Sequence, residues 1–133
     1  MNASKQKILI VDDEGIVRDT LEGFLTLQEH TVESAESGED ALELLARGHF
    51  DFAFLDIHLP GIDGFEMLKK IRETWPRTRV CLITGYLDRE QLDRALESGA
   101  IGALAKPFSY SDITPLLDAP ETAGNPKVER DAE

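Results

Sequence analysis

The chain has 133 residues, 41% apolar and 30% charged, which is the size of one domain with enough apolar material for a core. Its 26 acidic and 14 basic side chains give a net charge of −12, a field that repels nucleic-acid phosphates and anionic lipid, so direct binding to nucleic acid or membrane is not expected. No stretch approaches the ~20 apolar residues of a membrane span. The first residues lack a signal-peptide layout, and the single cysteine, Cys81, rules out an internal disulfide, so cytoplasm is the expected compartment.

In chain order, Lys7-Ile8-Leu9-Ile10-Val11 is a continuous apolar run of the kind buried on both faces of a sheet, and acids follow it at once. Ile16, Val17, Leu21, Phe24 and Leu25 then recur at helical spacing. Thr31 to Ala35 reads as a second, more exposed strand. Ser37-Gly38-Glu39-Asp40 opens a helix carrying Ala41, Leu42, Leu45 and Ala46, and Gly48 stops it. Phe52 to Leu55 is a third strand ending at Asp56, and Pro60-Gly61-Ile62-Asp63-Gly64 has the chemistry of a turn. A helix with Phe65, Leu68 and Ile71 ends before Pro76. Arg79 to Ile83 is the fourth strand, with Cys81 expected as a buried small hydrophobe. Asp88 suits the N-cap of a helix through Glu97 that Gly99 closes, and Gly102 to Ala105 is a short fifth strand.

Strands alternating with helices predict an α/β fold: a doubly wound, five-stranded parallel sheet of order 2-1-3-4-5 with helices on both faces. The last helix, starting near Ser109, is expected to be short or broken, because Pro115 removes a hydrogen bond and crowds the preceding turn. One domain is expected over residues 5–118. Residues 119–133 have little to bury and no periodicity, and are expected to be a disordered tail.

Ligands of open α/β sheets bind beyond the C-terminal strand ends, near the switch in strand order. Those ends deliver Asp12 and Asp13 from the first strand, Asp56 from the third, Thr84 from the fourth and Lys106 from the fifth. The predicted order makes these strands neighbours, so the side chains should converge. Two unit charges ~4 Å apart repel by about 4 kcal/mol at an effective dielectric near 20, so three carboxylates in one pocket call for a cation. Mg²⁺ favours a few carboxylates together with water and phosphate oxygens. A carboxylate flanked by metal, ammonium and hydroxyl is suited to accept a phosphoryl group.

Taken singly, these residues have plainer readings. Asp12-Asp13-Glu14 would serve as an acidic start to the first helix, Lys106 as a surface lysine and Thr84 as a β-branched strand end. Their joint placement favours the metal site. His58 stands at the pocket mouth, where its ring has two roles open to it, direct proton or metal chemistry or control of water access, and the second is the expectation. His30 and His49 fall in loops with no evident role, and Trp75 is expected to pack. The Pro60 to Gly64 loop lacks the Gly-Lys-Ser/Thr ending of a nucleotide phosphate loop, so ATP binding is not expected.

Val11-Asp12-Asp13-Glu14, Leu55-Asp56-Ile57-His58-Leu59-Pro60-Gly61-Ile62-Asp63-Gly64, Ile83-Thr84-Gly85 and Ala105-Lys106-Pro107-Phe108 together resemble the receiver domain of two-component response regulators, over about residues 5–118. The resemblance implies that Asp56 takes a phosphoryl group from a phosphohistidine of a sensor histidine kinase or phosphotransfer protein. It implies Mg²⁺ bound directly by Asp13, mainly through water by Asp12, and by Asp56 and the backbone carbonyl of His58. Thr84 and Lys106 would hold the phosphoryl oxygens, and the Lys106–Pro107 bond would be cis. The chain departs from the family at Ala103, where receivers usually carry an aromatic residue that turns inward when the threonine moves; Tyr86 or its loop is the expected substitute. The short last helix casts doubt on the family's usual dimer face.

The resulting expectation is a phosphorylation-gated module that changes its affinity for a downstream effector protein, not an enzyme acting on a separate substrate. A receiver-like scaffold that binds partners without phosphorylation is the alternative, favoured by Ala103 and opposed by the intact acidic site. An aspartate-nucleophile phosphatase is disfavoured, because such enzymes place one residue between two aspartates and here Asp12 and Asp13 are adjacent.

Overall fold

A computed structural model describes residues 5–118. The elements run β1 (Lys7–Val11), α1 (Gly15–Leu27), β2 (Thr31–Ala35), α2 (Gly38–Arg47), β3 (Phe52–Asp56), α3 (Gly64–Thr74), β4 (Arg79–Thr84), α4 (Arg89–Glu97), β5 (Gly102–Ala105) and α5 (Tyr110–Asp118). All strand pairs are parallel, in the order β2-β1-β3-β4-β5, as the alternation of elements predicts.

Alternation along β1, β3 and β4 divides the core in two, since successive side chains leave a strand on opposite faces. Leu9, Val11, Ala53, Leu55, Val80 and Leu82 pack on one face against Ala41 and Leu45 of α2, Met67, Leu68 and Ile71 of α3, and Ala95 of α4. Ile8, Ile10, Phe52, Phe54, Cys81 and Ile83 pack on the other against Leu21 and Leu25 of α1 and Ile113 and Leu117 of α5. Both faces are covered, so the central strands are apolar throughout their interiors, with polar residues only at their ends. Cys81 is fully buried, and burial pushes its thiol pKa up, which makes it an inert hydrophobe.

Helix starts follow local chemistry. Ser37 accepts from the Asp40 N–H, Asp88 from the Gln91 N–H, and Asp63 forms a reciprocal capping box with Glu66. Gly99, at φ +105°, closes α4 as expected. Gly64 has a different duty: a Cβ there would lie 2.6 Å from Ile57 Cα, so only glycine lets α3 start hard against the end of β3.

The last helix is short but unbroken, with Pro115 inside it. Pro115 costs ~3 kcal/mol in a helix interior, and the buried Ile113 and Leu117, at about 1.5–3 kcal/mol each, outweigh it. His30 corrects another expectation, since its ring is buried and its Nδ1 accepts a hydrogen bond from the Gln6 N–H at 3.0 Å. Trp75 packs against the first core, as expected. The tail expected at 119–133 lies outside the described residues. Among those described, no helix is long and apolar enough to cross a membrane.

Candidate functional site

β1, β3, β4 and β5 end at the same edge of the sheet and bring Asp12, Asp13, Asp56, Thr84 and Lys106 together, as the strand order requires. One carboxylate oxygen from each of Asp12, Asp13 and Asp56 lies within 4.8 Å of the others. Asp12 is wholly buried and Asp56 is 4% exposed, while Asp13 faces solvent. The Asp12 Oδ1 accepts the Glu14 N–H at 2.8 Å, and its carbonyl accepts Arg18 Nη1 at 2.7 Å, which fixes the turn from β1 into α1. Asp56 Oδ1 accepts the His58 N–H at 3.1 Å.

Lys106 supplies the cation. Its Nζ stands 2.8 Å from Asp12 Oδ2, 3.2 Å from Glu14 Oε1 and 3.4 Å from Asp56 Oδ2. The approaches to Glu14 and Asp56 are hydrogen bonds. The shortest, to Asp12, is off the direction of a hydrogen bond, so the buried Asp12 Oδ2 has a nearby charge and no directed donor. Burial alone would depress the lysine, yet Asp12, Asp56 and Glu14 outweigh it and hold the ammonium protonated well above the usual lysine range. For Asp12, burial dominates and raises the carboxyl above its ordinary value, against the pull of Lys106 and the Glu14 N–H.

A hard divalent ion fits this donor set. Three carboxylate oxygens within 4.8 Å of one another are placed to share one small divalent ion. The ion would give the buried Asp12 Oδ2, which has an ion pair but no directed hydrogen bond, a further positive partner.

Thr84 is buried at the end of β4, and its hydroxyl is held locally: Oγ1 donates to the Tyr86 carbonyl at 3.1 Å and accepts the Tyr86 N–H at 3.2 Å. The Tyr86 ring is 72% exposed. Across the sheet, the Lys106 N–H donates to the Thr84 carbonyl at 2.7 Å, and the Lys106–Pro107 bond is cis. Ala103 is half-buried against the first core. His58 is exposed, and its side chain borders an open cleft of about 730 Å³ that contains Asp13, Glu14, Asp56 and Lys106 and extends over Ile16, Val17 and Phe108. Sequence reasoning missed the link from Glu14 to Lys106, which spans 92 positions. Its only local signal is an acid beside Asp12 and Asp13.

The model of the response regulator receiver domain matches residues 8–118. The chain belongs to this family. It is 36% identical over 115 residues to chemotaxis protein CheY-3 of Vibrio cholerae, covering 84% of this chain and 88% of that one. It is also 36% identical over 126 residues to the response regulator protein PilR of Pseudomonas aeruginosa, covering 95% of this chain but 28% of PilR. The chain thus spans under a third of that relative's length. A solved response regulator from Burkholderia pseudomallei, described with a phosphorylated aspartic acid, calcium ion and citrate, superposes with a TM-score of 0.81 at 27% identity, covering 96% of this chain and 73% of that one. Receiver domains are regulatory parts of two-component phosphorelay signalling, work with histidine kinases and effectors, and generally bind Mg²⁺.

Proposed function

We propose that this receiver takes a phosphoryl group from a phosphohistidine of a sensor histidine kinase or phosphotransfer protein onto Asp56, and thereby changes its affinity for a downstream effector protein. An Asp56 carboxylate oxygen forms a bond to phosphorus as the phosphorus–nitrogen bond breaks, and the electron pair stays on the departing imidazole. Lys106, kept cationic by its carboxylate neighbours, takes up charge on one phosphoryl oxygen, and the Thr84 hydroxyl donates to another. Asp12, Asp13, Asp56 and the His58 backbone carbonyl would hold Mg²⁺, which neutralises charge on the group in flight. The observation that carries this reading is the nearly buried Asp56 carboxylate, bordered on one side by two further acids and on the other by an ammonium.

Thr84 also supports a route for the signal. Its one proton cannot go to a phosphoryl oxygen without leaving the Tyr86 carbonyl, while the oxygen can keep the Tyr86 N–H, so a shift of Thr84 draws the loop carrying the exposed Tyr86 with it. This replaces the inward-turning aromatic that Ala103 lacks. The chain's own chemistry is confined to gaining and losing its phosphoryl group, with His58 and Tyr86 at the mouth setting water access, and the cytoplasm is its compartment.

Incubation with acetyl phosphate and Mg²⁺, followed by intact mass, tests the proposal. Wild type gains one phosphoryl group and Asp56→Asn gains none. A wild type that stays unmodified by acetyl phosphate and by a phosphorylated kinase would leave a constitutive scaffold as the function. For the Tyr86 route, Tyr86→Ala should weaken the phosphorylation-dependent change in effector affinity; an unchanged response removes Tyr86 from it.

A further inference from the structure

We infer that Glu14 is a positioning residue for Lys106: it holds the ammonium at the cleft mouth in the resting state and competes with the phosphoryl group for it. The inference rests on the phosphoacceptor reading of Asp56.

Three observations lead to it. Glu14 occupies the N-cap position of α1, yet its side chain makes no capping hydrogen bond. Its carboxylate goes instead to Lys106, at 3.2 Å, shorter than the 3.4 Å bond from the same ammonium to Asp56. The Glu14 side chain is 59% exposed, whereas those of Asp12 and Asp56 are 0% and 6% exposed, so Glu14 pulls from the solvent side against the two buried acids.

The competition follows from charge and position. An ammonium only donates, and here three carboxylates surround it, Glu14 and Asp56 through hydrogen bonds and Asp12 as an ion pair. A phosphoryl group on Asp56 adds strong acceptor oxygens and more negative charge, which draw the ammonium inward and away from its weakest-held partner. Glu14 is the partner that leaves most cheaply, because its carboxylate is already half in water, whereas the buried Asp12 carboxylate has no cation besides Lys106 among its hydrogen-bond and ion-pair partners in the described residues. Occupancy of the acceptor position therefore costs the Glu14–Lys106 pair. Removing the Glu14 charge should favour the occupied state.

The test is the affinity of beryllium trifluoride, an anionic phosphoryl mimic, at fixed Mg²⁺, measured by titration calorimetry or ¹⁹F NMR in a double-mutant cycle. Relative to wild type, Glu14→Gln should bind about three- to tenfold more tightly, the effect of one nearby unit charge at a partly exposed site. In a Lys106→Ala background the same substitution should change affinity by less than about twofold, because the contest for the ammonium is gone. A purely structural role at the helix start would not depend on Lys106. Equal or weaker binding by Glu14→Gln, or an equal gain in both backgrounds, overturns the inference and leaves the phosphoacceptor reading standing. Wild type that binds no mimic and gains no phosphoryl group sinks that reading, and the role of Glu14 with it.

Discussion

The two ends of the sheet both bury polar groups, and they treat them in opposite ways. At the N-terminal end each such group has a matched partner. Thr78 Oγ1 donates to the Phe50 carbonyl at 2.7 Å, Lys7 N–H to Asp51 Oδ2 at 2.8 Å, and Gln6 N–H to His30 Nδ1 at 3.0 Å. Gln6 then joins Arg79, 2.7 Å from its Oε1, to the Leu117 carbonyl, 2.9 Å from its Nε2, tying β1, β4 and the end of α5 together. At the C-terminal end, three carboxylates gather around one ammonium with Asp13 beside them, and a buried oxygen of Asp12 has no directed donor. Satisfied buried groups fix a fold, whereas an unsatisfied set of one sign waits for a cation and an oxyanion. One end holds the sheet together; the other is kept reactive at some cost in stability.

The comparison breaks first if the N-terminal end can be stripped without loss. Thr78→Val keeps the shape and leaves the buried Phe50 carbonyl without this donor, so stability should fall by about 1–3 kcal/mol, read from the midpoint of urea unfolding. The C-terminal end should respond to metal instead. Mg²⁺ at ten times its dissociation constant should stabilise wild type by about 1.4 kcal/mol, visible as a higher melting temperature. No Mg²⁺ effect would count against the pocket as a metal site. Asp13→Asn sharpens the contrast: relief of carboxylate repulsion should stabilise the metal-free protein by about 1 kcal/mol or less and abolish the Mg²⁺ response. A destabilised Asp13→Asn would show that the acids at this end are structural.

The smallest effect is that of pH at the N-terminal end. Burial, with a contribution from Lys5, lowers the pKa of His30 against the opposing pull of Asp118, and the ring accepts the Gln6 N–H only when neutral. The unfolded chain therefore binds the proton more readily. The stability due to His30 is fully present above about pH 6.5 and is lost as pH falls through the lowered folded value. Thermal melts at stepped pH should show this loss in wild type and less of it in His30→Gln. The same slope in both would place the titration elsewhere.

Much of this was legible in the sequence because the signals are local. Unbroken apolar runs from Ile8 to Val11 and from Phe52 to Leu55 could serve only strands covered on both faces. Asp88 and Gly99 marked the ends of α4 with the groups that satisfy or terminate a helix there. Asp12, Asp13, Asp56, Thr84 and Lys106 could be grouped because each directly follows or ends a strand, and strand ends meet at one edge. Pro115 signals a short helix, and the helix is short but unbroken, since propensity cannot weigh the proline against the burial of Ile113 and Leu117 on a surface formed by distant strands.

Local pattern thus determined the elements, their alternation, the strand order and the set of groups at the reactive edge. Tertiary structure alone decided which polar atoms found partners: His30 with Gln6, Thr78 with Phe50, Glu14 with Lys106, and Asp12 Oδ2 with an ion pair in place of a directed hydrogen bond. The reason is geometric. Periodicity and turn chemistry act over a few residues, whereas a hydrogen bond between side chains 92 positions apart depends on ångström placement that only the assembled sheet provides.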